Sequence, residues 1–299
     1  MIVSNDVLSV RSFTPGQPDS FYRGTRFVRC SMTDELKFNG TVFTGRLFDG
    51  AHNPEGNANA SGLAEEFDID GPHGFDDVAP GGSFLKIGVG LLQKPDAKPY
   101  DFDRAYPVLD PGVWQVAPLA TTGVVYRFSV ASPDSRHGVE YTHALLLGEK
   151  NGELLIRRTL ANTGAEPLRT RHYSHAFFCV GENPVGEGYT VAYPAYPAAP
   201  VATTDIPACM KLDINAVHFT APPDGWVRLG LGGLGVPNRF AINHLPTLAG
   251  LQVSTDRPVV DACIFATPKT ISPEMFVDIT VDPGASETWT TTLRFSTPQ

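Results

Sequence analysis

The side chains best suited to chemistry lie in the stretch from Arg171 to Phe178, which reads Arg-His-Tyr-Ser-His-Ala-Phe-Phe. Imidazole has an ordinary pKa closer to neutrality than any other side chain, so His172 and His175 are candidates for a general acid or base. Tyr173 lies between them and adds a phenol that can donate or accept a hydrogen bond. Proton transfer on a small molecule is the chemistry that this composition favours.

A β-strand is the element that must hold these side chains. The turn signal Asn162-Thr163-Gly164 precedes an apolar and aromatic run, a pattern typical of a strand that follows a surface turn. Side chains alternate across a strand, so His172 points to one face while Tyr173 and His175 point to the other. We therefore expect one histidine to do chemistry and the other to support the strand. The same parity argues against a metal bound by both, and no metal site is predicted.

Two adjacent acids, Glu65 and Glu66, are the first candidates for a carboxylate partner. They follow a Gly- and Asn-rich segment, Gly50 to Gly62, that is long enough to form a loop over a site. Neighbouring residues of a strand face opposite ways, so only one of the two is expected to point into a pocket. The alternative is a solvated pair of carboxylates beside the loop.

Two cationic residues are candidates for substrate binding. Arg26 lies at the rim of a predicted strand from Thr25 to Met32, and Lys86 lies in a predicted strand from Phe84 to Leu92. The second strand carries interior glycines, which leave room for a ligand to approach its backbone. The alternatives are an ion pair at a strand end for the arginine, and a solvated lysine beside a glycine bend.

Composition predicts an all-β fold. Of the 299 residues, 42% are hydrophobic and 18% are charged, and 29 glycines and 26 prolines indicate many turns. No sustained amphipathic helix is present, and about fifteen short extended segments follow one another at meander spacing. We predict a large antiparallel β-sandwich that occupies residues 1–299 as a single domain.

Charge and cysteine usage exclude several classes of protein. A net charge of −9, without clustered basic residues, argues against a nucleic-acid partner. No secretory signal and no apolar run of membrane-spanning length is visible, so we expect no membrane partner and a cytoplasmic location. The four cysteines lack CxxC spacing, which favours buried thiols over a zinc site or a disulfide framework.

Several segments resemble the aldose 1-epimerases of the galactose mutarotase superfamily. His175-Ala-Phe-Phe178 is similar to that family's His-x-aromatic-Phe segment, and Asp282 to Trp289 with Thr292-Leu-Arg-Phe295 is similar to its last turn and strand. Tyr22-Arg-Gly-Thr-Arg-Phe27, Ala64-Glu-Glu-Phe67 and Phe84 to Gly90 resemble a divergent, mutarotase-like branch of it. The resemblance implies a β-supersandwich whose concave sheet binds a sugar.

In that family a histidine protonates the sugar ring oxygen and a glutamate accepts the proton of the anomeric hydroxyl. The resemblance puts His175 in the place of the acid, and His73 in His73-Gly-Phe75 is a possible match for a second family histidine. The family's glutamate has no counterpart at the matching place, Ala262 to Thr267. Glu65, Glu66 and Glu274 are the candidates, in that order.

Three functions stay open at this level. The first is a carbohydrate-active isomerase that uses His175 and a carboxylate, with no organic cofactor and a small-molecule substrate, a carbohydrate. The second is an isomerase, lyase or cyclase acting on a metabolite that is not a sugar, since a fold does not determine its reaction. The third is a sugar-binding module without catalysis.

Overall fold

The computed structural model describes residues 1–48, 50–194, 201–232 and 238–298. Over these ranges the chain forms antiparallel sheets, and its only helix is a short 3-10 turn, Leu245–Thr247. No helix in this part of the chain is long and apolar enough to cross a membrane. Short apolar segments separated by glycine and proline account for this organisation, because they favour strands and turns over helices.

The largest sheet has ten strands, and most of its neighbours are joined through consecutive hairpins or meanders. In sheet order its strands are β16 (Met210–Leu212), β17 (Ala216–Phe219), β14 (Tyr189–Ala192), β19 (Arg239–His244), β20 (Ala249–Thr255), β23 (Ser286–Ser296), β12 (Glu153–Asn162), β11 (Gly138–Leu147), β10 (Gly123–Ala131) and β9 (Val113–Leu119).

A second large sheet has six strands and carries the histidine-containing stretch. In sheet order its strands are β15 (Val201–Ala202), β18 (Val227–Gly232), β21 (Asp261–Ala266), β22 (Ile271–Val281), β13 (Leu168–Ser174) and β5 (Glu65–Phe67). The strand β13 therefore lies between β22 and β5, which are distant from it in sequence.

Two small sheets complete the fold. One contains β1 (Ile2–Ser4), β2 (Leu8–Ser12), β3 (Thr33–Phe38) and β4 (Thr41–Val42), and the other contains β6 (Ser83–Lys86), β7 (Gly90–Gln93) and β8 (Val108–Asp110).

The two large sheets pack face to face and share one apolar core. From the six-stranded sheet Met275 and Val277 point inward, where they meet Ile156 and Leu293 of the ten-stranded sheet. Burial of each such side chain contributes about 1.5–3 kcal/mol. Because side chains alternate, Glu274 points to the opposite, outer face of the six-stranded sheet. The core thus fixes the strands, and their outer faces are available for chemistry. The predicted all-β sandwich is confirmed.

The predicted strand from Thr25 to Met32 is wrong. Residues 25–31 form a buried, irregular segment, and only Met32 makes an isolated bridge. The hydroxyl of Tyr22 accepts hydrogen bonds from the backbone N–H groups of Arg26 and Phe27 at 3.3 and 3.1 Å. Because a side chain accepts the hydrogen bonds of these two amides, they do not need a neighbouring strand as a partner.

The predicted strand from Phe84 to Leu92 is also wrong, because it is a tight hairpin. The strands β6 and β7 pair through Lys86 and Gly90, and Gly88 adopts a φ of 75° in the turn between them. A side chain at Gly88 would also meet Val28 at 2.7 Å. The glycines therefore allow the chain to reverse direction in this hairpin.

Candidate functional site

A cavity of about 800 Å³ opens on the outer face of the six-stranded sheet. Its floor comes from β13, β18, β21 and β22, and its walls come from residues 47–48, 56–59, 69–70 and 102–103. This volume lies within the range of about 300–1,000 Å³ that is typical of small-molecule sites.

His175 and Glu274 lie side by side in this cavity. Nε2 of the histidine is 3.3 Å from Oε1 of the glutamate, and both side chains are almost completely buried. His175 follows directly after β13, and its backbone N–H donates to the carbonyl of Ala64 at 2.8 Å, so the strand pairing continues past the end of β13. A histidine and a carboxyl at this distance can give one proton to a ligand and accept another.

Burial changes the proton affinity of both groups. Loss of water raises the pKa of Glu274 to about 7. Burial, reinforced by the charge of Arg26, lowers the pKa of His175 well below its ordinary value. Nδ1 of His175 is buried and has no hydrogen-bond partner among the described residues, which further disfavours an imidazolium. Below about pH 7 the glutamate is therefore protonated while the histidine is neutral.

Cys263 supports Glu274 from the neighbouring strand. The two residues are direct partners across β21 and β22, and Sγ of the cysteine donates to Oε2 of the glutamate at 2.9 Å. This leaves Oε1 directed at His175. All four cysteines of the chain are buried and free, as the sequence analysis expected.

The thiol contact gives a first testable prediction. Replacing Cys263 with alanine removes the donor that lowers the pKa of Glu274, so we expect this pKa to rise above its value of about 7. Cys263→Ser keeps a donor and is expected to change the pKa less. A carbon-13 NMR titration of the Glu274 carboxyl measures both, with Cys179→Ala as the control for loss of a buried thiol. Equal titration curves for the alanine and serine variants would contradict the contact.

Behind the cavity, Glu66 anchors two side chains that line it. Arg26 donates from Nε to Oε2 of Glu66 at 2.9 Å, and the hydroxyl of Tyr173 donates to the same oxygen. Lys86 is buried on the other side, with Nζ 3.3 Å from Oε1. The Arg26 guanidinium also lies over the ring of Phe102 at 4.3 Å. Arg26 and Tyr173 line the cavity, whereas Glu66 and Lys86 hold them from behind.

Glu65 lies elsewhere, in the interior of the sandwich. Arg158 donates from Nε to its Oε1 at 2.8 Å, and Nε2 of His172 is 3.3 Å from its Oε2. Burial opposes ionisation of Glu65, but the Arg158 guanidinium holds the pKa of this carboxyl well below its usual range. Burial lowers the pKa of His172 to about 4. Neither residue lines the cavity, so the structure separates the two histidines onto opposite faces, as strand parity predicts.

The structure also separates His73 from the cavity. Its Nε2 lies 3.1 Å from Nδ1 of His137, on a different part of the surface. Within the described residues, no three histidine, cysteine or acidic side chains converge in a way that would hold a metal ion.

Sequence reasoning missed Trp226, Arg228 and Phe265 of the cavity, and it missed Cys263, which contacts Glu274. Trp226 and Arg228 alternate with apolar neighbours, a pattern that indicates one strand face directed outward, but nothing local links that face to His175. Cys263 and Phe265 lie in the segment where the expected glutamate is absent. Only the order of strands in the sheet brings these residues together.

The sequence matches no protein-family model and no curated protein. The fold, by contrast, matches many solved structures at low sequence identity. The GalM/aldose epimerase homologue from C. elegans superposes with a TM-score of 0.61 at 12% identity, over 100% of this chain and 99% of that one. The galactose mutarotase related enzyme from Lactobacillus acidophilus gives 0.59 at 12% identity, over 99% and 97%.

A galactose mutarotase-like protein from Clostridium acetobutylicum gives a TM-score of 0.59 at 10% identity, over 99% of this chain and 95% of that one. Likeness at such identities is a likeness of fold, and it extends over nearly the whole chain in each case. The protein therefore has the galactose mutarotase-like β-supersandwich fold, with a sequence that is at most 12% identical to these three structures.

Proposed function

We propose that the protein is an aldose 1-epimerase-like isomerase that opens and recloses a cyclic hemiacetal, with a sugar as the substrate class. The observation that carries this proposal is the pairing of His175 with Glu274 at 3.3 Å in the floor of a cavity of about 800 Å³. The names of the solved structures that share the fold, which refer to mutarotases and epimerases, support the same class of reaction.

The chemistry needs one proton donor and one proton acceptor at the anomeric carbon. The ring oxygen and the anomeric hydroxyl are bonded to the same carbon, so two adjacent groups on the protein can reach both. The acceptor removes the hydroxyl proton while the donor protonates the ring oxygen. The bond between the anomeric carbon and the ring oxygen breaks, and a carbonyl forms. Rotation about the adjacent bond and the reverse transfers close the ring in the other configuration, with protons conserved.

The proton affinities favour one assignment of these roles. Glu274 is protonated below about pH 7, so it is the donor to the ring oxygen, and neutral His175 accepts the hydroxyl proton at Nε2. This reverses the role of His175 that the family resemblance implies. Ring closure uses the same two groups in the opposite sense, so each residue is both donor and acceptor in a full cycle. No organic cofactor is needed for this sequence of transfers.

Arg26 and Tyr173 are the residues that we assign to binding. Both line the cavity beside His175, and both are oriented through Glu66. A guanidinium held in this way presents its remaining N–H groups in a fixed direction, which suits hydrogen bonds to sugar hydroxyls.

The test is a measurement of anomer interconversion. Freshly dissolved single anomers of common aldoses, hexuronates and hexose phosphates are followed by polarimetry and proton NMR, with and without the protein. We expect the rate of approach to equilibrium to rise in proportion to protein concentration for at least one sugar. If no sugar of the panel responds, the isomerase proposal fails. Calorimetric binding of a sugar that is not interconverted would then favour a binding module.

A further inference from the structure

The cavity contains a second group of side chains, at β18, that the proposed chemistry does not use. Trp226 directly precedes β18 and Arg228 lies within it, and both line the cavity. Leu229, which alternates with them, is fully buried at 0% exposure. Trp226 is 61% exposed, which is a large apolar area for a site residue to leave open to water. One face of the strand therefore belongs to the core and the other to the cavity.

Trp226 begins an aromatic row that leads to the reactive pair. Its ring stacks on Phe265, with centroids 6.0 Å apart and an angle of 21° between the planes. Phe265 in turn meets the ring of His175 edge to face at 5.2 Å. The apolar face of a pyranose packs well on an aromatic ring, so this row can guide a sugar ring toward His175.

Arg228 differs from the other two arginines of the cavity. Arg26 is paired with Glu66 at 2.9 Å, and Arg171 is paired with Asp278 at 2.7 Å. No carboxylate oxygen of the described residues lies within 4.0 Å of the Arg228 guanidinium. A guanidinium keeps its charge at every physiological pH, and its planar donors match a carboxylate or phosphate.

Three aspartates also line the cavity, and their surroundings bear on which ligand charge is favoured. Asp103 is 3.7 Å from Arg26, and Oδ1 of Asp261 accepts the backbone N–H of Ala262 at 2.8 Å. Asp70 lies at the far wall, beside the segment 98–104. Two of the three carboxylates are thus already in contact with partners of the protein. The Arg228 guanidinium interacts with the Cys263 thiol and lies near Glu274 and Asp261, but it forms no ion pair with a carboxylate of the described residues.

We infer that Trp226 and Arg228 form a subsite for a sugar that carries an anionic group, with the indole against the ring and the guanidinium on the anion. The subsite selects a sugar acid or a sugar phosphate over a neutral sugar. The inference that this ligand is also the molecule isomerised at His175 rests on the proposed function. The inference that the cavity prefers an anionic sugar is independent of it.

The experiment measures binding in the full-length His175→Ala variant, which separates affinity from turnover. Calorimetry compares glucuronate, glucose 6-phosphate, glucosamine and glucose. We expect one of the two anionic sugars to bind at least about 10-fold more tightly than glucose, as a charge-assisted contact implies. Which of the two it is distinguishes a carboxylate from a phosphate ligand.

Two substitutions test the residues themselves. Arg228→Gln is expected to remove the preference for the anionic sugar, a loss of about 10- to 100-fold, while leaving glucose binding nearly unchanged. Arg239→Gln, an exposed arginine outside the cavity, is the matched control. Trp226→Ala is expected to weaken all the sugars that bind, and Trp226→Phe to retain most of the affinity. Ligand quenching of tryptophan fluorescence should disappear in Trp226→Phe, since the other two tryptophans, Trp114 and Trp289, do not line the cavity.

The subsite is overturned if glucose or glucosamine binds as tightly as both anionic sugars, or if Arg228→Gln weakens all sugars equally. If the protein binds the anionic sugar selectively but the wild type interconverts no anomers, the subsite is supported and the proposed isomerase activity is wrong. If the wild type interconverts anomers but shows no preference for an anionic sugar, the isomerase is supported and the subsite is wrong.

Discussion

Glu274→Gln is expected to lower kcat/KM for anomer interconversion by about 10²- to 10⁴-fold, the usual contribution of a positioned proton donor or acceptor. His175→Ala is expected to cause a loss of the same order. Because the two groups pass protons as one unit, the double variant should be little worse than either single variant. Initial rates by polarimetry measure this, and circular dichroism checks that each variant is folded.

The matched control is Glu140→Gln, which neutralises an exposed glutamate on a strand of the other large sheet. It should retain full activity. If Glu274→Gln were as active as this control, the carboxyl at position 274 would have no part in the reaction, and the proposed pair would be wrong.

The same pair determines the expected pH dependence. Wild-type activity should fall as pH rises through about 7, because Glu274 then loses the proton that it donates. It should also fall in acid, where His175 gains a proton and can no longer accept one. In Glu274→Gln the limb near pH 7 should be absent. An activity that instead rose through pH 7 would show that ionised Glu274 acts as the initial acceptor.

Glu65→Leu is expected to lower the free energy of unfolding by about 3–5 kcal/mol, because it leaves the Arg158 charge buried without a partner. Both side chains are fully buried, and Tyr141 and His172 also use the Glu65 carboxylate as an acceptor. Urea denaturation measures the loss. The double variant Glu65→Leu with Arg158→Met removes both charges and should recover much of the stability, since buried ion pairs are often replaceable by apolar side chains.

Acid should reduce the difference between Glu65→Leu and the wild type. The pKa of Glu65 is held below its ordinary value of 4.5, so its ion pair contributes fully above that pH. The contribution is lost as pH falls through the depressed pKa of the folded state. The exposed pair of Glu166 and Arg136 gives the control, because water and salt screen this pair and Glu166→Gln should change the stability far less than Glu65→Leu does. Equal effects of the two substitutions would contradict a structural role for the buried cluster.

The local pattern of the sequence was sufficient for the fold class and for the separation of the two histidines. Alternation of apolar residues identifies strands, and parity alone puts His172 and His175 on opposite faces. The choice of carboxylate could not be made in this way. Glu65 and Glu66 are attractive in the sequence because they lie between a Gly- and Asn-rich loop and a glycine-bearing segment. Their strand β5 does pair with β13, yet β13 has a second neighbour, β22, and the glutamate on it is the one beside His175.

The errors in the sequence analysis have a common physical cause. The stretch from Thr25 to Met32 looks like a strand because Val28, Cys30 and Met32 alternate as one apolar face. In the structure the hydroxyl of Tyr22 binds the amides of Arg26 and Phe27 in place of a neighbouring strand. Lys86 looks like a ligand contact because glycines follow it, but these glycines reverse the chain and the lysine is buried against Glu66. In both cases partners distant in sequence decide what a local pattern becomes.

The walls and the floor of the cavity come from different parts of the chain. The wall segments lie between residues 47 and 103, whereas His175 and Glu274 lie on strands that the sandwich core holds in place. Insertions and substitutions in surface loops are tolerated far better than changes in packed strands. Exchange of these wall segments between proteins of this fold should therefore alter which ligand enters, while the proton-transferring pair beneath keeps its geometry.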